Sequence, residues 1–277
     1  MSKNFLTFDQ QIELLRDTKG LIVEDVDLAL LTLKTNNYYR LNAYFHQFLR
    51  NDIFIAGTTF NQILNIYNKD GLIRRTIIKY LEKIEIQARC QIGHELGRAY
   101  GPQAFFKCEI FKSAPEWENL QASFRKATIR DENDPVATHY YNDLEGDFEI
   151  WVVVEYLSFG ELSRLFGICD TRIQAKISKS FQVHETLVKS WLESLSILRN
   201  VCAHYGYLHL RIFPTSPAIP KTLQTKVSQT RLLFSHIIAL SWLLDSNSKS
   251  EFLSSIAAIE ADWQNYGFPD NWIDLLM

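Results

Sequence analysis

Apolar residues along the chain recur at intervals of three and four, which is the period of an α-helix rather than a β-strand. The clearest stripe lies in the segment 70–100 and consists of Ile73, Ile77, Leu81, Ile84, Ala88 and Ile92. Charged residues occupy the other faces of this segment, as expected of a helix that packs one side against a core. No part of the sequence shows a strong alternation of apolar and polar residues. The pattern therefore predicts an all-α fold, a multi-helix bundle.

Capping and breaking residues place the ends of the helices. Thr7 and Gln10, like Thr59 and Gln62, have the spacing of a capping box, in which each side chain satisfies a free N–H group at a helix start. The first of these helices is expected to stop at Gly20. The predicted helices span residues 8–19, 25–33, 37–49, 60–68, 70–100, 148–166 with an interruption near residue 160, 173–181, 185–205, 222–244 and 251–266.

Composition narrows the class of protein. The 277 residues are 47% hydrophobic, which supplies a core and rules out intrinsic disorder. A net charge of −3 argues against a protein that coats nucleic acid nonspecifically, although it is compatible with a local basic patch. No two of the four cysteines have the spacing of a zinc-binding pair. The longest apolar run, residues 150–154, is far shorter than the roughly 20 residues of a membrane span, so we expect a cytoplasmic protein without membrane contact.

The chain is expected to form one compact unit with three parts. An N-terminal helical region covers residues 1–57, a helical bundle that carries the motif described next covers 58–245, and a C-terminal helix covers 246–277. The length suits one large domain or two small ones, and the sequence contains no internal repeat or low-complexity tract.

The segment 191–208 contains the candidate chemistry. At about 100° per residue, one core-facing stripe is formed by Trp191, Leu195, Leu198, Cys202 and Tyr205. Asn200 and His204 lie one turn apart on the opposite side, and Arg199 lies at the border. An arginine and a histidine five residues apart also occur in helices by chance. A histidine that is structural or merely solvated fits the same spacing.

The letters LRNVCAH, from Leu198 to His204, form an R-x4-H arrangement that resembles the motif of the HEPN superfamily of helical ribonucleases. More narrowly, the chain resembles the Abi-like family of bacterial abortive-infection proteins, the AbiD/AbiF group. Further markers in family order are NYYRL from Asn37 with Tyr44, the segment Tyr67 to Arg75 followed by Glu82, Glu85 and Arg89, IWVVVE from Ile150 and LSFG from Leu157. The resemblance covers roughly residues 7–213 and implies a bundle of HEPN type with additional N-terminal and C-terminal helices.

The sequence departs from the family pattern directly after the motif histidine. The family usually reads HHGRLWNR, whereas this chain reads HYGYLHLR, with Tyr205, Tyr207 and Leu210 at the places of a histidine, an arginine and an asparagine. The arginine and histidine of the motif itself are kept. Tyr207 and Arg211 are candidates for contacting RNA, without a role carried over from the family.

The resemblance implies an endoribonuclease that uses neither a metal nor another cofactor. His204 would act as base or acid while a ribose 2′-OH attacks the adjacent phosphate, and Arg199 would stabilise the charge on phosphorus. Asn200 would orient the histidine or hold a phosphate oxygen. One histidine does not easily serve both sides of the phosphorus, and HEPN proteins solve this by pairing two copies of the motif, so we expect a homodimer. Glu155 either orients Arg199 or belongs to a plain structural ion pair.

Other side chains are candidates for holding RNA. Arg40 lies among the tyrosines at positions 38, 39 and 44, and this mixture either stacks on unpaired bases or fixes an aromatic helix on the bundle. Arg74, Arg75 and Lys79 form either a basic ridge for a phosphate backbone or a solvated face paired with glutamates.

Functions of different classes remain open at this point. The first is a phage-defence endoribonuclease that acts as a toxin and is restrained in healthy cells by an antitoxin, either protein or RNA. The second is a noncatalytic RNA-binding protein that holds a structured noncoding RNA through the same groove. A helical scaffold that acts only by dimerising is the third.

Overall fold

Helices make up nearly all of the regular structure. The computed structural model describes residues 4–130 and 133–277, in which thirteen α-helices and one short hairpin occur, so the all-α prediction is confirmed. None of the described helices combines the length and hydrophobicity that a membrane span requires. The helices are α1 (Phe8–Glu13), α2 (Val26–Asn36), α3 (Tyr38–Phe45), α4 (Phe60–Tyr100), α5 (Ala114–Arg130), α6 (Pro135–Asp143), α7 (Ile150–Tyr156), α8 (Phe159–Ile168), α9 (Thr171–Lys179), α10 (Glu185–Ala203), α11 (Leu233–Leu243), α12 (Ser246–Ala257) and α13 (Trp272–Leu276).

α4 is a single helix of 41 residues, and the prediction of two helices that meet near residue 69 is wrong. The Thr59 hydroxyl accepts the N–H of Gln62 at 3.1 Å and starts the helix as predicted. No proline interrupts residues 60–100. One glycine costs a helix interior only about 1 kcal/mol, so Gly71 does not end the helix.

α4 runs through the main hydrophobic core and packs against α7, α9, α10 and α12. Its contact with α7 is close because two glycines face that helix. A Cβ atom on Gly93 would lie 3.3 Å from the Cα of Trp151, and one on Gly97 would lie 3.2 Å from Ile150 Cγ2. α10 packs against both α4 and α8, so the motif helix is an integral part of this core.

The N-terminal helices α1 to α3 pack around a second, smaller core. This core consists of Ile12, Leu15, Leu21, Ala29, Leu33, Leu41, Tyr44, Phe45, Phe54, Phe60 and Ile63. Beside it, strands β1 (Leu49–Arg50) and β2 (Ile53–Phe54) pair as an antiparallel hairpin, which is too short to show alternation in the sequence. Since Phe60 and Ile63 belong to α4, the long helix joins the N-terminal elements to the main core.

Several predicted helix boundaries differ from the structure. α11 is shorter than the predicted span 222–244, because residues 222–232 form turns and the Phe213 N–H donates to the Arg231 carbonyl at 2.9 Å. The predicted helix 251–266 is α12 followed by a separate 3-10 turn, Trp263–Tyr266. The predicted helix 148–166 divides into α7 and α8 just before the expected interruption, where Ser158 and Glu161 form a capping box.

Candidate functional site

The motif residues lie at the C-terminal end of α10, which ends one residue before His204. The backbone N–H of Tyr205 donates to the Cys202 carbonyl at 3.2 Å, and that of Gly206 donates to the Val201 carbonyl at 2.7 Å. With Tyr205 in the left-handed region at φ +58°, these two bonds form a Schellman motif. His204 is therefore the capping residue, at the junction of the helix and the loop that follows.

The apolar stripe of α10 is buried as predicted, except at Tyr205. Trp191, Leu195, Leu198 and Cys202 are at most 3% exposed, whereas Tyr205 is 66% exposed. The left-handed turn takes Tyr205 out of the helical register, so the periodicity that places the earlier residues no longer applies to it. Its ring lies on the surface and not in the core.

Asn200 and His204 are both exposed, on the side of α10 opposite the buried stripe. Asn200 Oδ1 accepts a long hydrogen bond of 3.5 Å from Arg199 Nη1. The backbone N–H of His204 donates to the Asn200 carbonyl at 3.0 Å and continues the helical pattern to the cap. The imidazole of His204 is thus carried on an ordered backbone and is accessible to a ligand.

A carboxylate from α4 holds Arg199. Arg199 Nε lies 3.3 Å from Glu85 Oε2, and Glu85 Oε1 accepts a 2.7 Å hydrogen bond from Arg89 Nη2. Glu85 is 9% exposed, while the side chain of Arg199 is 37% exposed. The guanidinium is therefore fixed on one edge and accessible on another.

Glu155 does not occupy the place that the family resemblance implies. It is exposed in α7, and its backbone carbonyl accepts a 3.0 Å hydrogen bond from Arg89 Nη1. The carboxylate paired with Arg199 in the described chain is Glu85, because α4 packs against α10 along the motif helix. Glu155 reaches this cluster only through its main chain and Arg89.

Asp70 of α4 is fully buried behind the motif and accepts hydrogen bonds from three parts of the chain. Its Oδ2 accepts the backbone N–H groups of Leu208 and His209 at 2.6 and 3.3 Å. The hydroxyl groups of Tyr44 and Tyr266 donate to the same carboxylate at 2.9 and 2.7 Å. These donors compensate the charge for its lost hydration.

Arg74 lies neither on a basic ridge nor on a solvated face, the two alternatives that the sequence left open, because it is only 7% exposed. Its Nη1 donates to the Gly206 carbonyl at 3.0 Å and to the Tyr44 hydroxyl at 3.2 Å, and it lies 3.7 Å from Asp70 Oδ2. One turn of helix places Arg74 on the same inner face as Asp70, so it is not available to an RNA backbone. We call Asp70, Arg74, Tyr44 and Tyr266 the Asp70 cluster.

The other RNA-binding candidates are exposed, except Arg211, which is half-buried, and some of them adjoin the motif. The Arg40 guanidinium of α3 lies 5.3 Å from the centre of the Tyr205 ring, and the Arg211 guanidinium lies 4.9 Å from that of Tyr207. A groove of about 580 Å³ separates α3 from the loop 205–210 and is lined by Arg40, Tyr205 and Tyr207 among others. We call it the motif groove. Arg75 and Lys79 are exposed on α4 and do not line it.

A comparison with models of known protein families finds a match over more than half of the chain. Residues 31–209, which include α3, the greater part of the Asp70 cluster and the motif helix, match the model of the Abi-like protein family. The chain belongs to the Abi-like family. Abi denotes abortive infection, a form of bacteriophage resistance, so this membership connects the chain with phage defence. No curated protein and no solved structure matches the chain.

The sequence did not identify three residues of the site in this Abi-like chain: Asp70, Glu85 and Tyr266. Asp70 lies three residues before Ile73, in line with the apolar stripe of α4, and a charge inside such a stripe is a signal for a buried polar cluster. Glu85 lies four residues before Arg89, the spacing of a helical ion pair. Tyr266 has no local signal, because its partner lies 196 residues away.

Burial sets the protonation of the groups around the Abi-like motif. Burial, reinforced by the Asp70 charge, raises the pKa of the Tyr44 and Tyr266 hydroxyls, so both keep the proton they donate. Burial also lowers the pKa of the His209 imidazole, which favours its neutral form. Burial raises the pKa of Cys202 to about 12, so this thiol is unreactive. In the described ranges, no three His, Cys, Asp or Glu side chains are grouped so that they could hold a metal ion.

Proposed function

We propose that this Abi-like protein is a phage-defence endoribonuclease of the HEPN type. The observation that carries the proposal is the arrangement at the end of α10, where the exposed His204 caps a helix that also carries Arg199. Glu85 fixes one edge of the Arg199 guanidinium, and the side chain is still 37% exposed. An accessible imidazole and an ordered guanidinium are the groups that proton transfer and phosphate binding require.

The proposed reaction cleaves RNA without a metal. A base removes the proton from a ribose 2′-OH, the oxygen bonds to the adjacent phosphorus, and the bond from phosphorus to the 5′-oxygen breaks. An acid gives that oxygen a proton, which leaves a cyclic phosphate on one product and a 5′-hydroxyl on the other. His204 serves as base or acid, and Arg199 binds the phosphate oxygens as their charge increases. Asn200 orients the histidine or holds a phosphate oxygen.

A second copy of the chain would supply the other histidine. Each chain offers one His204, whereas the reaction needs a proton acceptor and a proton donor on opposite sides of phosphorus. The loop after the motif also exposes apolar side chains, with Leu210 at 45% and Ile212 at 66% exposure, and a second copy of the chain would cover such a surface. Sedimentation velocity over a concentration series tests whether the protein is a dimer.

The motif groove also favours a second candidate function, a noncatalytic protein that holds a structured RNA. Arg40, Tyr205 and Tyr207 provide a cation and two rings beside the motif, and such groups bind nucleic acid with or without cleavage. In that case the purified protein carries RNA, seen as a raised ratio of absorbance at 260 nm to that at 280 nm. A bound RNA is also one form that the antitoxin could take, with a protein antitoxin as the other.

The two functions are separated by sequencing RNA ends from cells that express the wild type or His204→Ala. The proposed enzyme produces cyclic-phosphate ends that disappear with His204→Ala and persist with His94→Ala, a matched change at an exposed histidine of α4. Cleavage by the purified wild type is expected to continue in EDTA. Unchanged cleavage by purified His204→Ala overturns the assignment of the site, and strict dependence on a metal overturns the mechanism.

A further inference from the structure

Both walls of the motif groove are attached to one buried carboxylate. On the α3 side the Tyr44 hydroxyl donates to Asp70 at 2.9 Å, and on the loop side the Leu208 N–H donates to Asp70 at 2.6 Å. Arg74 adds a further link by donating to the Gly206 carbonyl at 3.0 Å. The groove is therefore formed before any ligand arrives, and a ligand does not have to order its walls.

The rim of the motif groove presents flat, accessible groups. Tyr39 is 84% exposed and Tyr205 is 66% exposed, and the Arg40 guanidinium lies 5.3 Å from the centre of the Tyr205 ring. By contrast, Tyr38 packs against the second core and Tyr44 belongs to it. The aromatic segment of α3 is therefore divided between an inner, structural side and an outer side. Proteins use such exposed rings and guanidinium planes to stack on unpaired nucleobases.

The remaining lining suits the edge of a base and a phosphate. None of the described residues that line the motif groove is an aspartate or glutamate, so a phosphate beside Arg40 meets no carboxylate there. Asn42, His46 and Gln47 provide donors and acceptors at the same wall. The volume of about 580 Å³ is within the roughly 300–1,000 Å³ of small-ligand sites. This volume is large enough for one nucleoside.

We infer that the motif groove binds one unpaired nucleobase of the RNA, next to the phosphodiester presented to His204. Tyr39 and Tyr205 stack on the base, and Arg40 binds its phosphate. This position next to the motif is inferred because Tyr205, which lines the groove, is the residue directly after His204. The inference rests on the proposed function and narrows its substrate to RNA that is single-stranded at the cleavage point.

The test measures RNA binding in the His204→Ala background, where the probe stays intact. The probes are a fluorescein-labelled single-stranded 12-mer RNA with one 2-aminopurine and the same strand in a duplex. We expect tighter binding of the single strand and quenching of the 2-aminopurine by stacking. The double variant Tyr39→Ala, Arg40→Gln is expected to weaken single-strand binding roughly tenfold and to abolish the quenching. Both side chains are exposed, but Arg40 Nη1 also donates to the Tyr205 carbonyl at 3.3 Å, so circular dichroism and the thermal midpoint of the variant are measured beside its binding.

Arg172→Gln is the control variant, because it removes the same positive charge. The Arg172 side chain is 90% exposed on α9, away from the groove. The inference is overturned by an equal loss of binding with Arg172→Gln, by wild-type binding of the groove variant, or by no binding of either probe.

Measurements of RNA cleavage distinguish failure of the groove inference from failure of the proposed function. If the groove variant weakens binding while the wild type leaves RNA intact, the nuclease proposal fails and the groove remains. If the wild type cleaves and the groove variant has an unchanged KM, the groove alone fails.

Discussion

The carboxylate of Asp70 accepts the backbone N–H of Leu208 at 2.6 Å, although 138 residues of sequence separate the two. This bond connects the longest helix to the loop that follows the motif histidine. Tyr44 from the N-terminal elements and Tyr266 from the C-terminal turn donate to the same carboxylate. The loop after His204 is therefore held jointly by both ends of the chain and by α4.

Replacing Asp70 with alanine is expected to lower the free energy of unfolding by about 3–5 kcal/mol, because Arg74 loses its buried counter-charge and the loop loses its acceptor. Urea unfolding followed by circular dichroism measures the change. Asp27→Ala, at an exposed position of α2, provides the control and is expected to shift stability by no more than about 0.5 kcal/mol. A wild-type unfolding midpoint for Asp70→Ala contradicts the structural role of the Asp70 cluster.

The two candidate partners of Arg199 are distinguished by matched substitutions. Glu85→Gln removes the charge 3.3 Å from Arg199 Nε and is expected to slow RNA cleavage roughly tenfold or more, because the guanidinium loses its fixed position. Glu155→Gln changes an exposed carboxylate and is expected to leave the rate within about twofold. Initial rates on one RNA at saturating concentration give the comparison. A larger loss with Glu155→Gln returns the orienting role to that residue.

Periodicity in the sequence predicts the helices well wherever one side of a helix meets the core. The stripe from Ile73 to Ile92 is buried in α4, and the stripe from Trp191 to Cys202 is buried in α10. Helix ends depend on fewer interactions than helix faces do, so the sequence predicts them less well. The helix end expected near residue 69 is absent, and α4 continues through it. The predicted start of α11 is too early, because Thr230 and Arg231 bond to Ser216 and Phe213 of the preceding loop instead of continuing a helix.

The candidate site could be located from the sequence but not assembled from it. The motif places Asn200 and His204 on the exposed side of α10, and this much follows from helical geometry. Tyr205 and Arg74 were misplaced for different reasons. A left-handed cap removed Tyr205 from the helix, whereas Arg74 is buried because Asp70 and the loop carbonyl of Gly206 lie on the inner face of α4. The cap is a local interruption of the helical period, whereas the Gly206 carbonyl that binds Arg74 lies 132 residues away in the sequence.

Gly206 is expected to tolerate no side chain at the cap of the motif helix. A Cβ atom there would lie 3.0 Å from Val201 Cγ1 and 3.1 Å from the Val201 carbonyl oxygen, which accepts the Gly206 N–H. Gly206→Ala should therefore lower the free energy of unfolding by about 1–3 kcal/mol and displace the loop after His204. Gly160→Ala is the control, since its Cβ would meet only Ser196 Oγ at 3.8 Å. Equal thermal midpoints for the two variants would show that the cap is not tightly packed.

His236 gives the stability of the fold a pH dependence. It is fully buried in α11, its ring centre lies 4.1 Å from that of Phe213, and its Nε2 has no hydrogen-bond partner in the described chain. Burial lowers the pKa of this imidazole from 6.5 to about 4. Below pH 6.5 the His236 imidazole becomes protonated in the unfolded chain but stays neutral in the folded protein until the pH nears 4. The contribution of the neutral imidazole to the free energy of unfolding is therefore complete above pH 6.5 and is lost as the pH falls towards 4.

His236→Leu keeps an apolar side chain of similar size and removes the titration. Between pH 7.5 and pH 5 the wild type is expected to lose about 2 kcal/mol more of its unfolding free energy than this variant. Carboxylates with lowered pKa, such as Asp170, contribute equally to both proteins and cancel in the difference. Urea unfolding at each pH provides the values, with His94→Leu on exposed α4 surface as the control. Parallel pH profiles for wild type and His236→Leu would mean that the pKa of His236 is the same in the folded and the unfolded chain.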